Sequence, residues 1–122
     1  MTPLRVLIVD DDPELLKVMA KVIETRKCDT VVAVRSPHLA LEAITRDGQE
    51  FDIVFADLLM PRMSGDAFLG HIRELLPRAR RVLITGFSGL LATELEEGLV
   101  DDIIEKPFDN ADLIAVLDLA QP

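Results

Sequence analysis

The sequence predicts an α/β fold in which a parallel five-stranded sheet is covered by helices on both faces. Short, continuous apolar runs rich in Val and Ile recur along the chain, and segments with helical periodicity lie between them. Runs that are apolar throughout indicate strands buried on both faces. Strands that alternate with helices favour a parallel sheet with right-handed crossovers, so the order is strand–helix repeated five times.

The predicted strands are the apolar runs themselves, each about 4–6 residues long, as is usual for strands. In chain order they are Arg5–Val9, Thr30–Val34, Asp52–Ala56, Arg81–Thr85 and Asp102–Glu105.

The first predicted helix begins after Asp12, which can cap it, and Pro13, which suits a first helical turn. Its apolar stripe consists of Leu15, Val18, Met19, Val22 and Ile23. A weaker helical pattern follows near Pro37–Arg46, with Ser36 as its cap and Gly48 beyond its end.

Three further helices complete the predicted order. The first has a clear apolar stripe and ends before Pro77; its stripe is Phe68, Leu69, Ile72, Leu75 and Leu76. A weak helical pattern lies near Leu90–Glu97, and a terminal helix is marked by Leu113, Ile114 and Leu117. No linker or internal repeat interrupts the chain, which predicts a single domain over residues 1–122.

Composition narrows the class of protein. Of 122 residues, 49% are hydrophobic, which is enough for a packed core. The formal net charge of −9 disfavours direct binding to nucleic acid or to an anionic membrane. A single cysteine, Cys28, excludes an internal disulfide, and no apolar run approaches the length of a membrane span. These features predict a soluble, cytoplasmic protein.

Polar side chains follow the predicted strands at their carboxyl ends. Asp10, Asp11 and Asp12 follow the first strand. The third strand leads to Asp57, and Thr85 and Lys106 mark the ends of the fourth and fifth strands. In open parallel sheets, ligand sites lie beyond the carboxyl ends of the strands, near the point where the strand order reverses. We therefore expect these groups to converge on one rim.

The converging groups suit a metal-assisted phosphoryl site. Clustered carboxylates are ligands that Mg²⁺ prefers, and their mutual repulsion raises a carboxyl pKa when no cation is bound. Lys106 supplies a compensating charge, and the Thr85 hydroxyl can orient a phosphoryl group. Asp57 can itself accept that group as an aspartyl phosphate. Taken singly, each residue also has an ordinary structural reading as a cap, a turn or a strand end; it is the joint occurrence that favours a site.

Four stretches in this order resemble the receiver (phosphoacceptor) domain of two-component response regulators. They are "VLIVDDD" (6–12), "DLLMPRMSG" (57–65), "LITG" (83–86) and "EKPF" (105–108). The resemblance covers essentially the whole chain. It implies a flavodoxin-like (βα)5 fold, doubly wound, with strand order 2-1-3-4-5.

By this resemblance, Asp57 is the phosphoacceptor and receives its phosphoryl group from a histidine on a kinase or His-phosphotransfer protein. Asp11 is a direct Mg²⁺ ligand, and Asp10 acts mainly through metal-bound water. Asp57 and the backbone carbonyl of Leu59 complete the protein ligands. The implied function is a phosphorylation-controlled switch of a phosphorelay that catalyses its own phosphorylation and slow autodephosphorylation only, and is otherwise not an enzyme.

The other matched positions receive roles in the same way. Thr85 and Lys106 contact the phosphoryl oxygens, and Gly86 leaves space for a donor histidine. The Lys106–Pro107 peptide is expected to be cis, a geometry almost confined to X-Pro bonds. The loop into the third helix is shaped by Met60, Pro61, Ser64 and Gly65.

Three positions at which the family varies bear on the conformational switch and on the lifetime of the phosphoryl group. Phosphorylation is expected to shift the face made of the fourth helix, the fifth strand and the fifth helix, to which a downstream protein binds. Ile103 stands where many receivers have an aromatic switch residue, so a different repacking is expected. Leu59 and Phe87 stand at the two positions that tune phosphoryl lifetime. Neither can orient an attacking water, which predicts slow autodephosphorylation.

Two alternatives stay open at this stage. The D-x-D pattern also resembles haloacid-dehalogenase-like phosphatases, in which Asp10 would be the nucleophile and Asp12 the acid/base, although Asp57 would then have no role. A receiver-like fold that binds partners without phosphorylation is the other.

Several reactive or charged residues are assigned ordinary structural roles. His38 and His71 are expected to be solvated helix residues, and Cys28 a partly buried small residue. The basic segment 77–81 is expected to be a solvated loop. Glu94, Glu96 and Glu97 are expected to form the polar face of a helix.

Overall fold

The computed structural model describes residues 3–26, 29–86 and 95–121. These residues form five strands and four helices, which alternate along the chain except between the fourth and fifth strands. In chain order the elements are β1 (Arg5–Val9), α1 (Pro13–Glu24), β2 (Thr30–Val34), α2 (Pro37–Thr45), β3 (Ile53–Asp57), α3 (Gly65–Leu75), β4 (Arg80–Thr85), β5 (Asp102–Glu105) and α4 (Asn110–Ala120).

The strands form one sheet in the order β2-β1-β3-β4-β5, and every neighbouring pair is parallel. The predicted flavodoxin-like, doubly wound fold with strand order 2-1-3-4-5 is therefore confirmed. The strand bounds agree closely with the apolar runs. Two strands differ: β3 is shifted by one residue and runs from Ile53 to Asp57, and β4 begins one residue earlier than predicted, at Arg80.

Helices cover both faces of the sheet, which explains why the strands are apolar throughout. On one face, Val6 and Ile8 of β1 pack in a core with α1 and α4. On the other face, Leu7 and Val9 pack in a second core with α2 and α3. Successive side chains of a strand point to opposite faces, so each strand must supply apolar residues to both cores.

Helix α1 is capped as predicted, and its buried face differs from the predicted stripe at two positions. The Asp12 side chain accepts the backbone N–H of Glu14 at 3.0 Å. Leu16, Met19 and Ile23 are buried, whereas Val18 is 53% exposed. Of the predicted stripe, Met19 and Ile23 are buried, and Leu15 and Val22 are half-buried against the same core. The prediction is therefore wrong for Val18 and omits the buried Leu16, because periodicity alone does not decide which neighbouring apolar residue faces the sheet.

The remaining helices agree more closely with prediction. Ser36 caps α2 by accepting the backbone N–H of His38 at 3.1 Å. Helix α3 ends before Pro77, although Leu75 is 41% exposed and was wrongly placed on the buried stripe. Helix α4 begins with a capping box between Asp109 and Asp112.

Some predictions fall on residues outside the described ranges, namely those on Cys28, Phe87 and Glu94 and most of the helix predicted near Leu90–Glu97. The described part of that segment, residues 95–97, is not helical. Both histidines, His38 and His71, are exposed as predicted. No helix in the described ranges is both long and apolar enough to span a membrane.

The prediction of a solvated basic loop at residues 77–81 is wrong for its last three members, the first of which, Ala79, is buried in the core with α2 and α3. Arg80 begins β4, and its Nε lies 2.6 Å from a carboxylate oxygen of Asp102. The Arg81 side chain is buried and donates to the backbone carbonyls of Leu99 and Gly98 at 2.7 and 3.1 Å. These carbonyl acceptors come from a segment distant in sequence, so the arginine run alone gave no sign of them.

Candidate functional site

The predicted polar groups lie together at the carboxyl rim of the sheet. Asp10 directly follows β1, Asp57 ends β3, Thr85 ends β4 and Lys106 directly follows β5. All four strands run in the same direction, which places these ends on one edge. The site therefore lies where β1 and β3 are neighbours and the strand order reverses.

Lys106 ties the two buried carboxylates together. Its Nζ lies 2.9 Å from Asp57 Oδ1 and 3.9 Å from Asp10 Oδ2. Its backbone N–H donates to the Thr85 carbonyl at 2.9 Å, which fixes the start of the following loop against β4. The Lys106–Pro107 peptide is cis, as the resemblance implied.

Asp10 is a buried carboxylate whose charge the neighbouring residues compensate only in part. The residue is only 1% exposed, and its Oδ1 accepts the Asp12 backbone N–H at 2.9 Å. Its Oδ2 is buried and has no hydrogen-bond partner among the described residues. The pKa of Asp10 is raised to about 6, mainly because the group is buried and in smaller part because of the nearby Asp57 charge. The hydrogen bond from the Asp12 N–H and the charge of Lys106 oppose this rise.

The carboxylates form a cluster that fits a small divalent cation. One carboxylate oxygen from each of Asp10, Asp11 and Asp57 lies within 4.8 Å of the others. Asp11 is exposed, whereas Asp10 and Asp57 are buried. Oxygen donors in this number are what Mg²⁺ prefers, and a cation would also compensate the unpaired Asp10 oxygen. The chemistry of the donor set therefore fits the predicted metal.

Gly65 allows α3 to begin in direct contact with the acceptor strand. A Cβ on this residue would lie 2.3 Å from the Asp57 carbonyl oxygen and 2.9 Å from Leu58 Cα. The Gly65 N–H donates to the Leu58 carbonyl at 2.8 Å, which closes the loop. The predicted role of Gly65 thus has a concrete cause, namely a close approach of two backbones.

The other predicted site residues occupy different environments. Thr85 is 1% exposed at the end of β4, and Gly86 is exposed, with open space where a Cβ would stand. Met60 is buried in the core with α2 and α3, whereas Pro61 is exposed. Ile103 is half-buried against the same core.

Sequence reasoning missed two arginines at the rim. An open cavity of about 430 Å³ lies beside Asp11, and Arg35 and Arg62 both line it. Arg35 directly follows β2, so the strand-end rule that found the acidic residues would also have found it. Arg62 lies in the loop after β3 with a φ of 73°, which no sequence signal indicated.

A second open cavity, of about 470 Å³, lies on the other side of the site. Lys106, Pro107 and Phe108 line it together with Leu15 and Val18 of α1. The exposure of Val18 therefore places an apolar side chain beside the rim rather than in the core.

Fold and rim together define a class: flavodoxin-like α/β proteins with an acidic, cation-compatible pocket at the switch point of the sheet. The family model for the response regulator receiver domain matches residues 6–118, and the chain belongs to that family. It is accordingly a signalling domain of two-component systems rather than a conventional enzyme. Receiver domains interact with histidine kinases or phosphotransfer proteins.

Individual relatives agree with this assignment. The nisin biosynthesis regulatory protein NisR of Lactococcus lactis subsp. lactis is 30% identical over 118 residues, which cover 91% of this chain and 47% of NisR. The transcription factor SKN7 of Chaetomium thermophilum is 30% identical over 115 residues, covering 93% of this chain and 15% of SKN7. The chain thus spans less than half the length of either relative.

A solved structure shows the same fold. The CheY-like response regulator receiver domain from Methylobacillus flagellatus superposes with a TM-score of 0.83 at 27% identity, covering 98% of this chain and all of that one. These similarities do not support the haloacid-dehalogenase-like alternative. Asp12, its acid/base candidate, is engaged in capping α1.

Proposed function

We propose that this receiver domain is a phosphorylation-controlled switch in which Asp57 accepts a phosphoryl group from a histidine kinase or His-phosphotransfer protein. The observation that carries the proposal is the contact of Lys106 Nζ with Asp57 Oδ1, at 2.9 Å, beside the carboxylates of Asp10 and Asp11. A nucleophile, a cation site and a fixed ammonium therefore meet at one point.

In the proposed reaction, an Asp57 carboxylate oxygen attacks phosphorus while the bond between phosphorus and the donor imidazole nitrogen breaks. The imidazole leaves with the electron pair of that bond and takes a proton from solvent. Lys106 holds the Asp57 carboxylate in place beforehand and offers its positive charge to the phosphoryl oxygens. Thr85, buried at the end of the next strand, donates its hydroxyl to the same group.

Asp10, Asp11, Asp57 and the Leu59 carbonyl would hold Mg²⁺, with Asp10 acting mainly through water. When bound, the cation supplies charge neutralisation for the incoming phosphoryl group. The protein's own contribution is to hold three carboxylates close together despite their repulsion. The Asp12 N–H and Lys106 each partly offset that repulsion.

Phosphorylation is proposed to change the surface that includes β5 and α4. Thr85 and Glu105 are paired in register between β4 and β5, so a displacement of Thr85 is passed to β5. Ile103, which is half-buried, would repack in place of an aromatic switch residue. A downstream protein would recognise the altered surface.

The proposed phosphoprotein is long-lived. The Leu59 side chain is 62% exposed and apolar, so it cannot orient a water toward the acyl phosphate. A cytoplasmic location, a single domain over residues 1–122 and the absence of direct binding to nucleic acid or membrane remain predictions from the sequence.

Labelling with a small phosphodonor tests the proposal. The protein is incubated with phosphoramidate in the presence of Mg²⁺ or of a chelator, and the modified residue is identified by mass spectrometry after borohydride reduction. Modification of Asp57 that needs Mg²⁺ and is lost in Asp57→Asn is expected. Labelling that persists in Asp57→Asn but is lost in Asp10→Asn would overturn it in favour of the phosphatase-like reading.

A further inference from the structure

The cavity beside Asp11 is lined by two arginines, Arg35 and Arg62. It is lined by Asp11, Arg35, Ser36, Pro37, Leu39, Pro61 and Arg62 and measures about 430 Å³. Arg35 and Arg62 are exposed, and neither has an ion-pair or hydrogen-bond partner among the described residues. Among the described residues, four other arginines each form an ion pair, namely Arg26, Arg46, Arg73 and Arg80.

The two arginines lie on a predominantly acidic protein. The chain has 22 acidic residues against 13 basic ones, so acidic partners are abundant. Two guanidinium groups nonetheless line a single cavity at the edge of the proposed phosphoacceptor site. Guanidinium groups recognise carboxylates and phosphates through paired N–H donors.

The backbone of Arg62 supplies a second, independent observation. Its φ of 73° lies in the left-handed region, which glycine and asparagine adopt with less strain. An arginine held in this conformation is the kind of outlier that leads to a hypothesis of function.

Charge points to the kind of ligand. At the rim, three carboxylates face one ammonium, and a bound divalent cation would bring their formal charges to zero. An incoming phosphoryl group then adds negative charge, as does any acidic side chain near the donor histidine. Lys106 and the cation lie next to the phosphoryl group, whereas Arg35 and Arg62 lie to the side, after β2 and β3, where they are placed to offset the charge of the flanking acidic side chains.

We propose that Arg35 and Arg62 form a docking site for acidic side chains that flank the phosphohistidine on the donor protein. The inference rests on the proposed phosphoacceptor function. It adds a charge-based preference among donors, which the groups that contact the phosphoryl group do not provide.

Two synthetic peptides, each phosphorylated chemically on its histidine, test the preference. In one peptide the histidine is flanked by Glu and Asp, and in the other by Gln and Ala. Transfer to Asp57 is measured for the unmodified protein and for Arg35→Gln, Arg62→Gln and Arg78→Gln. Arg78 is the matched control, because it is exposed, has no partner among the described residues and precedes β4, at the opposite end of the sheet from the rim.

The acidic peptide is expected to react about fivefold faster than the neutral one, and the preference should shrink as salt is raised. Arg35→Gln and Arg62→Gln should abolish it, whereas Arg78→Gln should keep it. Phosphoramidate, which has no flanking carboxylate, should react equally with all four proteins. In metal-free protein, the unphosphorylated acidic peptide should shift the amide resonances of Ser36 and Arg62.

Equal rates for the two peptides, or a preference that survives both rim substitutions, would overturn the inference while leaving Asp57 as acceptor. Slower reaction of both rim variants with phosphoramidate would overturn it too, since the arginines would then act on the phosphoryl group itself. Failure of every donor to label Asp57 would instead refute the proposed function.

Discussion

At the scale of single residues, the site depends on the buried carboxylate of Asp10, whose negative charge the neighbouring residues compensate only in part. Asp10 is buried beside Asp57, and one of its oxygens has no hydrogen-bond partner among the described residues. Lys106 is nearer to Asp57 than to Asp10, at 2.9 against 3.9 Å. The arrangement therefore favours cation binding over the stability of the metal-free protein.

Asp10→Asn should stabilise the metal-free protein at neutral pH. The pKa of Asp10 is raised from 3.8 to about 6, so its contribution to stability is fully present below pH 3.8 and is lost as the pH rises through 6. The substitution should raise the free energy of unfolding at pH 7.5 by up to about 3 kcal/mol, and the gain should vanish near pH 4.

Chemical denaturation in a chelator at both pH values measures this difference. Asp11→Asn is the control, because it removes a charge from the same cluster at an exposed position and should give a smaller gain. A destabilised Asp10→Asn protein at pH 7.5 would contradict the account.

Gly65→Ala should destabilise the protein because its Cβ would lie 2.3 Å from the Asp57 carbonyl oxygen. The backbone must shift to accept it, at a cost of about 3 kcal/mol. Gly70→Ala is a matched control in the same helix, where the new Cβ meets only Leu99 Cδ1 at 3.9 Å.

The control should gain about 0.5–1 kcal/mol from its higher helix propensity. Thermal unfolding of both variants measures the contrast. Equal effects of the two substitutions would show that the close approach at Gly65 is not a constraint.

At the scale of elements, the strands were predictable, whereas the buried face of α1 was predictable only in part. The inner strands β1, β3 and β4 are almost wholly buried, so a continuous apolar run identifies them directly; the edge strands β2 and β5 are mostly half-buried but keep the same apolar character. Helix α1 carries two overlapping apolar stripes, and only packing against the sheet selects Leu16, Met19 and Ile23. The apolar residue left outside, Val18, lies beside the site instead.

Shortening single side chains of α1 to alanine should show which of them face the core. Leu16→Ala removes a buried side chain and should lower the free energy of unfolding by about 2–4 kcal/mol. Val18→Ala, at a position 53% exposed, should change it by less than about 0.5 kcal/mol. Urea denaturation of the two variants gives the comparison, and a larger loss at Val18 would restore the stripe predicted from the sequence.

At the scale of the whole molecule, the topology explains why so much of the site was predictable. Parallel strands deliver their carboxyl ends to one edge, so residues far apart in sequence meet there once the strands are located. Asp10, Asp57, Thr85 and Lys106 were found in this way. The rule fails for groups whose position depends on loop conformation, as for Arg62, or on carbonyl partners from distant segments, as for Arg81.

The central claim is that this rim is a metal-dependent phosphoryl site centred on Asp57, and its most direct test is an NMR titration with beryllofluoride. Amide resonances are followed as Mg²⁺ and then beryllofluoride, a phosphoryl mimic, are added to the protein and to Asp57→Asn. With Mg²⁺ present, shifts are expected at Asp57, Thr85 and Lys106, extending to Ile103, and none of the beryllofluoride-dependent shifts should occur in Asp57→Asn. Shifts that appear without Mg²⁺, that persist in Asp57→Asn, or that are absent from the unmodified protein would contradict the account.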